Sequence, residues 1–294
     1  MTNQKELIHN SNWDILVVID ACRYDYFARY YKEVFSNGKL KKVITPSVWT
    51  FGWIVETFGN KYWNDIVFLK NWVSGYILSE EEKKNGTKKW IITDIIKRLK
   101  YQRYAKSDLF NVVIKMQEGV EYSTLHPKVT YDYACDAIKD YPNKRIIVSF
   151  RQVHEPYIGW LEKGMVKDEQ QTWRRGNSIF KKFKRLVYIN VLQKILTSEQ
   201  IWTIIDKFGL PSNGSVGKVW VKKGWDEVRK GYIDDLILVL EYIKKIANKY
   251  PNKKIAVTSD HGELLGEYGR FGHSTNRRYK EIIEVPWFVI NDKN

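Results

Sequence analysis

Cysteine, proline and long apolar runs are scarce in this sequence. Its 294 residues include two cysteines, Cys22 and Cys135, and seven prolines. Two cysteines are too few for the disulfide framework of a small secreted domain. No run of 18 apolar residues occurs, and residues 1–12 are mostly polar, so the sequence predicts neither a membrane span nor a signal peptide. We therefore expect a cytoplasmic protein without a transmembrane segment.

Acidic residues are also few relative to basic ones. The chain has 34 Asp and Glu against 49 Lys and Arg, a formal net charge of +15. This excess favours anionic partners. Basic runs such as residues 181–185 are usually solvated helix faces, and no nucleic-acid motif accompanies them. We expect an anionic ester as the partner, such as a glycan or a lipid-linked phosphate, with peripheral membrane contact left open and no specific recognition of nucleic acid.

Continuous Val- and Ile-rich runs alternate with helical patterns along the chain. Such runs are typical of buried parallel strands, and the alternation predicts an α/β fold, with a mostly parallel sheet and helices on both faces. The predicted strands are 14–19, 41–44, 65–69, 145–150, 254–257 and 285–290. The predicted helices are 24–35, 51–58, 131–139 and 226–250. The simplest partition is a single domain, 1–294, with insertions at about 75–125 and 159–223, the former containing a helix-like piece at 91–98.

Polar residues stand at the carboxyl ends of three predicted strands. Asp20 follows the first strand, the segment 45–50 follows the second, and Asp260 and His261 come just after the strand at 254–257. In a parallel sheet these ends share one edge, so the side chains can converge on one site. Two carboxylates and one imidazole are three ligands that leave a position open, as a catalytic metal requires. Zinc or manganese suits this set best, with calcium or magnesium as alternatives; otherwise Asp260 only caps the next segment.

Several segments, in order along the chain, are similar to those of one known family. They are Val18–Asp25, Ser47–Thr50, His154–Tyr157, Thr258–His273, Tyr279 and Glu284–Pro286. On these segments the chain resembles the alkaline phosphatase/sulfatase superfamily, specifically its sulfatase-like branch. The block from Asp260-His261-Gly262-Glu263 to Gly272-His273 is the most specific part. The resemblance implies an alkaline phosphatase-like three-layer α/β sandwich.

The resemblance also implies the metal ligands and the nucleophile. The ligands would be Asp20, Thr50, Asp260 and His261. Thr50, at the start of the helix after the second strand, would attack the ester, with Ser47 as the nearest alternative and Thr45 as a weaker one. A helix N-terminus would also favour a phosphoryl group. The alternative for Thr50 is a plain helix N-cap.

Two histidines and one arginine complete the implied site. His154 would contact the ester group or join a second metal, or else only pack on Pro156, and His273 would play a similar part. Imidazole pKa values near neutrality would let both assist a leaving oxygen. Arg23 would bind a substrate oxyanion through its fork of donors, or would instead pair with Asp25.

The sequence departs from the family pattern at two places. Sulfatases that use formylglycine carry Cys or Ser, then Pro two residues later and Arg four later, and neither Thr50 nor Ser47 is followed by that signal. Phe150 stands where two-metal members have Asp, which argues against a complete second metal site. We therefore expect a metal-dependent hydrolase or transferase that acts on phosphate esters through a threonine nucleophile. The alternatives are a sulfate-ester hydrolase without formylglycine and a catalytically inactive binder of acidic polymers.

Overall fold

The computed structural model describes residues 2–70, 109–116, 125–166, 196–209, 214–273 and 277–291. The strands in this part of the chain are β1 (Ile15–Ile19), β2 (Lys39–Ile44), β3 (Trp63–Lys70), β4 (Phe110–Lys115), β5 (Arg145–Phe150), β6 (Ile255–Ser259), β7 (Leu264–Leu265), β8 (Phe271–Gly272) and β9 (Glu284–Ile290). The α-helices are α1 (Gln4–Asn10), α2 (Tyr24–Val34), α3 (Thr50–Phe58), α4 (Pro127–Asp140), α5 (Ile158–Glu162), α6 (Ser198–Lys207), α7 (Ser215–Lys249) and α8 (Lys280–Ile283).

Seven of the strands form one sheet in the order β2-β9-β6-β1-β5-β3-β4. The central strand β1 is parallel to both β6 and β5, and β3 is parallel to β5 and β4. Only β9 runs against its neighbours β6 and β2. The short strands β7 and β8 pair separately with each other. The prediction of a mostly parallel sheet is therefore confirmed.

Helices cover both faces because alternate residues of each strand point to opposite sides. Ile15, Val17 and Ile19 of β1 pack in a core that includes buried residues of α2, α4 and α7. Leu16 and Val18 pack in a second core that includes buried residues of α1 and α3. All five β1 side chains are buried, as expected for a strand that is covered twice. The predicted α/β fold class is thus confirmed.

The structure differs from the sequence prediction inside both expected insertions. Residues 110–115 form the edge strand β4, which pairs in parallel with β3. Its residues Val112, Val113 and Ile114 are apolar, as is typical of a strand that packs on the core. Helix α7 begins at Ser215 rather than at 226, and it bends at Gly224, whose φ of 76° is not helical. The predicted helix at 91–98 and the basic run at 181–185 lie outside the described residues. Among the helices that are described, none is both long enough and apolar enough to cross a bilayer.

Candidate active site

The carboxyl ends of β1, β5 and β6 meet at one edge of the sheet. In the register of these strands, Ile19 lies opposite both Phe150 and Ser259. The next residue, Asp20, donates its backbone N–H to the Phe150 carbonyl at 3.1 Å. Asp260 directly follows Ser259, so the two aspartates lie side by side although 240 positions separate them in the sequence. The sheet itself therefore brings the two carboxylates together.

Asp20, Asp260 and His261 present their ligand atoms to one point. One oxygen or nitrogen from each lies within 4.8 Å of the others, and all three side chains are buried. His261 Nε2 is 3.4 Å from Asp260 Oδ2 and 3.8 Å from Asp20 Oδ1. Tetrahedral zinc ligands at about 2.0–2.2 Å from the ion are roughly 3.3–3.6 Å from each other. The observed spacing therefore suits a single ion with these three ligands.

The atoms that face this point are the ones that lack a partner. Asp20 Oδ1 and Asp260 Oδ2 are buried and accept no hydrogen bond from the described residues. The other oxygen of each carboxylate is held: Asp20 Oδ2 by Arg151, and Asp260 Oδ1 by the backbone N–H groups of Ala21 and His261. Buried carboxylate oxygens without a donor are costly unless a cation satisfies them. The donor set therefore fits a divalent metal ion.

The side chain of His261 is also oriented with a ring nitrogen toward the two carboxylates. His261 Nδ1 lies 3.0 Å from the Gly262 carbonyl oxygen, which can only accept a hydrogen bond. Nδ1 therefore carries the hydrogen, and Nε2 presents its lone pair toward the two carboxylates. Gly262 is required here, because a Cβ at this position would collide with the carbonyl oxygen of Glu281.

The environment of Asp260 favours a positive charge beside it. Burial raises the pKa of Asp260, and the neighbouring Asp20 raises it further. His261, the nearby Thr50 and the hydrogen bond from the Ala21 N–H oppose this shift. Two adjacent buried carboxylates repel each other, and a bound cation would remove that repulsion.

Of the three hydroxyl side chains considered for the nucleophile, Thr50 is the one placed at this group. Its Oγ1 is 3.4 Å from His261 Nε2. Thr50 is the first residue of α3, after Trp49, so it is not the N-cap. Ser47 Oγ instead donates to the Trp49 carbonyl, and Thr45 Oγ1 is buried and donates to the Asp260 carbonyl at 2.6 Å. Ser47 and Thr45 therefore support the loop, and neither is seen to contact the metal-ligand atoms.

His154 and His273 line the same site, so that three of the chain's five histidines are gathered there. The His273 ring centroid is 4.1 Å from that of His261 and 5.3 Å from that of His154. Burial lowers the pKa of both His154 and His273 well below 6.5; Arg151 adds to this for His154, and His261 for His273. The expectation of near-neutral pKa values is therefore corrected downward, because burial is the largest cause and lowers the pKa of both rings.

Arg23 does not reach into the site. Its guanidinium is buried and makes ion pairs at 2.7 Å with both Asp25 and Glu267, and it also donates to the Glu263 carbonyl. Its donors are thus engaged with protein groups, and the pairing with Asp25 is the alternative that the structure supports. The expectation that Arg23 binds a substrate oxyanion is corrected on this ground.

Arg151 was not predicted as a site residue, yet it contacts one of the proposed ligands. Its Nη1 donates to Asp20 Oδ2 at 2.7 Å. The sequence did contain a signal, because Arg151 directly follows the strand that ends at Phe150 and therefore lies at the same sheet edge as Asp20. Ser259 was also missed: its Oγ accepts from the Cys22 N–H at 2.8 Å and donates to the His261 carbonyl.

A buried carboxylate fixes the segment that carries His154. Both oxygens of Asp235, on α7, accept the Ile158 N–H, at 3.1 and 3.3 Å, just after the His154–Tyr157 motif. Burial raises the pKa of Asp235 from 3.8 to about 7, partly offset by the bond from Ile158. The folded state therefore keeps a proton that the unfolded chain releases near pH 4, so this contribution to stability is full below pH 4 and is lost as the pH rises to about 7.

We expect Asp235→Asn to remove this pH dependence, because the amide oxygen still accepts the Ile158 N–H and does not ionise. A pKa difference of about three corresponds to at most about 4 kcal/mol, so above pH 7 the variant should be more stable than the parent by roughly 1–4 kcal/mol. Urea unfolding at pH 5 and pH 8 measures this difference. The exposed neighbour substitution Asp234→Asn is the control. An equal loss of stability between pH 5 and 8 in the parent and in Asp235→Asn would contradict this prediction.

Comparison with known proteins gives matches among solved structures only. No family model and no curated protein matches the sequence. The C-terminal periplasmic domain of EcEptC from Escherichia coli, in complex with zinc, matches with 12% identity and a TM-score of 0.48 over 98% of this chain and 74% of that chain. The C-terminal periplasmic domain of the phosphoethanolamine transferase EptC from Campylobacter jejuni matches with 15% identity and a TM-score of 0.42 over 94% of this chain and 78% of that chain.

A protein from Bacteroides thetaiotaomicron proposed to be a sulfatase matches with 10% identity and a TM-score of 0.48 over 94% of this chain and 63% of that chain. The three structures are thus two periplasmic domains, one of them described as part of a phosphoethanolamine transferase, and one protein described as a proposed sulfatase. With TM-scores below 0.5, these matches assign no activity or substrate to this chain.

The predicted cytoplasmic location is wrong in the light of these matches, since two of the matched structures are periplasmic domains. The prediction relied on the low number of cysteines and on the lack of a signal-peptide or membrane-span pattern, and a low cysteine count does not distinguish the compartments. Cys22 and Cys135 are both buried and unpaired. A buried thiol of this kind is inert and needs no reducing environment.

Proposed function

We propose that this chain is a metal-dependent hydrolase or transferase that acts on phosphate esters through Thr50. The observation that carries the proposal is the position of Thr50 Oγ1, 3.4 Å from His261 Nε2, which in turn lies 3.8 Å from Asp20 Oδ1 and 3.4 Å from Asp260 Oδ2. A divalent ion such as zinc or manganese would be held by Asp20, Asp260 and His261, with Thr50 as the fourth ligand. When bound, the ion would lower the pKa of the Thr50 hydroxyl and offset the charge that develops on phosphorus.

Helix α3 supports the attack on phosphorus by its orientation. Thr50 is its first residue, and no side chain caps its N-terminus. The positive end of the helix dipole therefore lies beside the position that a phosphoryl group on Thr50 would take. Thr50 Oγ1 would form the new bond to phosphorus as the bond to the leaving oxygen breaks, which leaves the phosphoryl group on Thr50.

His154 supports the second half of the reaction. Its Nδ1 lies 2.8 Å from the Glu155 carbonyl oxygen and therefore carries the hydrogen, so Nε2 is an unprotonated base. Its lowered pKa keeps the ring neutral at pH 7. We assign Nε2 of His154 to take the proton of the water or acceptor hydroxyl that attacks the phosphoryl group on Thr50. The imidazole ring of His273 lies next to that of His154. The net charge of +15 is consistent with an anionic substrate, such as a glycan phosphate or a lipid-linked phosphate.

Parallel assays of the metal-loaded protein test this function. We expect turnover of p-nitrophenyl phosphate or of bis(p-nitrophenyl) phosphate, and turnover of p-nitrophenyl sulfate that is slower by roughly tenfold or more. The physical reason is that the nucleophile is an unmodified hydroxyl without the formylglycine signal. Faster turnover of the sulfate would favour the sulfate-ester hydrolase. Stoichiometric metal without turnover of any ester would favour the inactive binder.

A further inference from the structure

Arg151 lies where an anionic substrate would approach the proposed metal ligands. Its Nη1 donates to Asp20 Oδ2 at 2.7 Å, and this is the one hydrogen bond its guanidinium makes within the described part of the chain. Asp20 is 3% exposed, whereas the Arg151 side chain is 21% exposed and so reaches solvent. With respect to the described residues, four of the five N–H donors of the guanidinium are therefore left for another group.

The same contact blocks a second metal ion. His154 and His273, whose ring centroids are 5.3 Å apart, would offer ring nitrogens to such an ion. Arg151 belongs to the same turn, since its carbonyl accepts the His154 N–H at 3.2 Å. The oxygen of Asp20 that does not face the first ion is already held by Arg151. Among the described residues, Asp20, Asp260 and His261 form the single group close enough to hold an ion. A second cation beside Asp20 would also face the positive charge of the guanidinium, which would repel it.

We propose that Arg151 supplies the second positive charge of this site: the protein binds one divalent ion, and the guanidinium binds the non-bridging oxygens of the phosphate ester where a second ion would otherwise bind. This rests on the proposed function, because it assigns a substrate contact to the same site. The planar fork of arginine matches two phosphate oxygens, and its bond to Asp20 fixes it before the substrate arrives. The same bond leaves Asp20 Oδ1 directed at the first ion.

Metal stoichiometry is the first test. Metal-free protein is titrated with zinc by calorimetry, and bound zinc is counted by elemental analysis after removal of the excess. We expect one zinc ion per chain in the parent and in Arg151→Gln. Two zinc ions per chain in the parent would overturn the proposal, because the guanidinium would then not take the place of the second ion.

Binding of inorganic phosphate to the zinc-loaded protein is the second test. We expect Arg151→Gln to weaken phosphate binding by roughly 10- to 100-fold, as for the loss of hydrogen bonds between charged groups, and Arg151→Lys to recover part of it. Arg145→Gln is the matched control. Arg145 opens the strand that Arg151 follows, its side chain is 24% exposed, and it pairs with Asp65 at the opposite sheet edge. Its substitution should leave phosphate affinity unchanged, and unchanged affinity in Arg151→Gln would overturn the proposal.

The two measurements together separate substrate binding from a structural role. If Arg151→Gln lost zinc along with phosphate, the residue would act only by holding Asp20, and the proposal would be overturned. Failure of the proposed function has a different signature. One zinc ion and Arg151-dependent phosphate binding, with turnover unaffected by the loss of the Thr50 hydroxyl, would refute the threonine nucleophile and leave the role of Arg151 in place.

Discussion

Replacing Thr50 by alanine is expected to lower turnover of the preferred phosphate ester by roughly 10³-fold or more, as found when a covalent nucleophile is removed. The physical reason is that Thr50 Oγ1 is the one hydroxyl of the three considered that lies next to His261 Nε2. Steady-state kinetics on the zinc-loaded variant measure the loss. Circular dichroism and zinc content, measured on the same sample, establish that the fold and the metal are retained.

Two matched variants make this result specific. Thr50→Ser keeps a hydroxyl at the same place and should retain turnover within about tenfold. Ser47→Ala removes the competing hydroxyl, which donates to the Trp49 carbonyl, and should leave turnover nearly unchanged. A large loss in Ser47→Ala combined with normal turnover in Thr50→Ala would transfer the role of nucleophile to Ser47.

Asp260→Asn is expected to abolish both turnover and the stabilisation of the fold by zinc. The amide oxygen can still accept the N–H groups of Ala21 and His261, while an NH₂ group replaces the open oxygen that faces the proposed ion. Zinc at 100 times its dissociation constant should stabilise the parent by about 2.7 kcal/mol. Thermal melts with zinc and with a chelator should therefore differ for the parent and coincide for the variant.

The metal-free variant provides a second readout of the same prediction. Burial and the neighbouring Asp20 raise the pKa of Asp260, so removing its charge should leave the metal-free protein at least as stable as the parent. Asp65→Asn, at the other sheet edge, is the control and should keep the response to zinc. An equal shift by zinc in Asp260→Asn and in the parent would exclude Asp260 as a ligand.

The parts of the fold that were predicted correctly are those with strong local patterns. Strands β1, β5 and β6 are continuous apolar runs, and burial on both faces requires that composition. Strand β4 was missed although Val112, Val113 and Ile114 are apolar, because this short run lies within the mostly polar segment 75–125 that was interpreted as one insertion. The start of α7 was missed because Gly224 interrupts the helical pattern, although the chain continues as a helix on both sides of it.

For the candidate site, the sequence predicted which residues would meet but did not predict the contacts of its arginines. The positions of strand ends led to the expectation that Asp20, Asp260, His261 and the segment 45–50 would converge, and the family resemblance singled out Thr50 within that segment. The structure places these four side chains together. Their roles as ligands and nucleophile stay predictions. Arg23 and Arg151 could not be distinguished by pattern, because each follows a strand end. What separates them is which carboxylates lie within reach, and that depends on the tertiary arrangement of Glu267 and Asp20.

The distance in sequence between Asp20 and Asp260 has a consequence for assembly. If both hold the ion, a chain still emerging from the ribosome has only one of the two carboxylate ligands until residue 260 has been made. To bind a cation through both aspartates, the unfolded polypeptide would have to close a loop of about 240 residues, which costs conformational entropy. We therefore expect the metal to bind only after β1 and β6 have paired. Zinc added during refolding should therefore leave the folding rate unchanged and act on the finished protein alone.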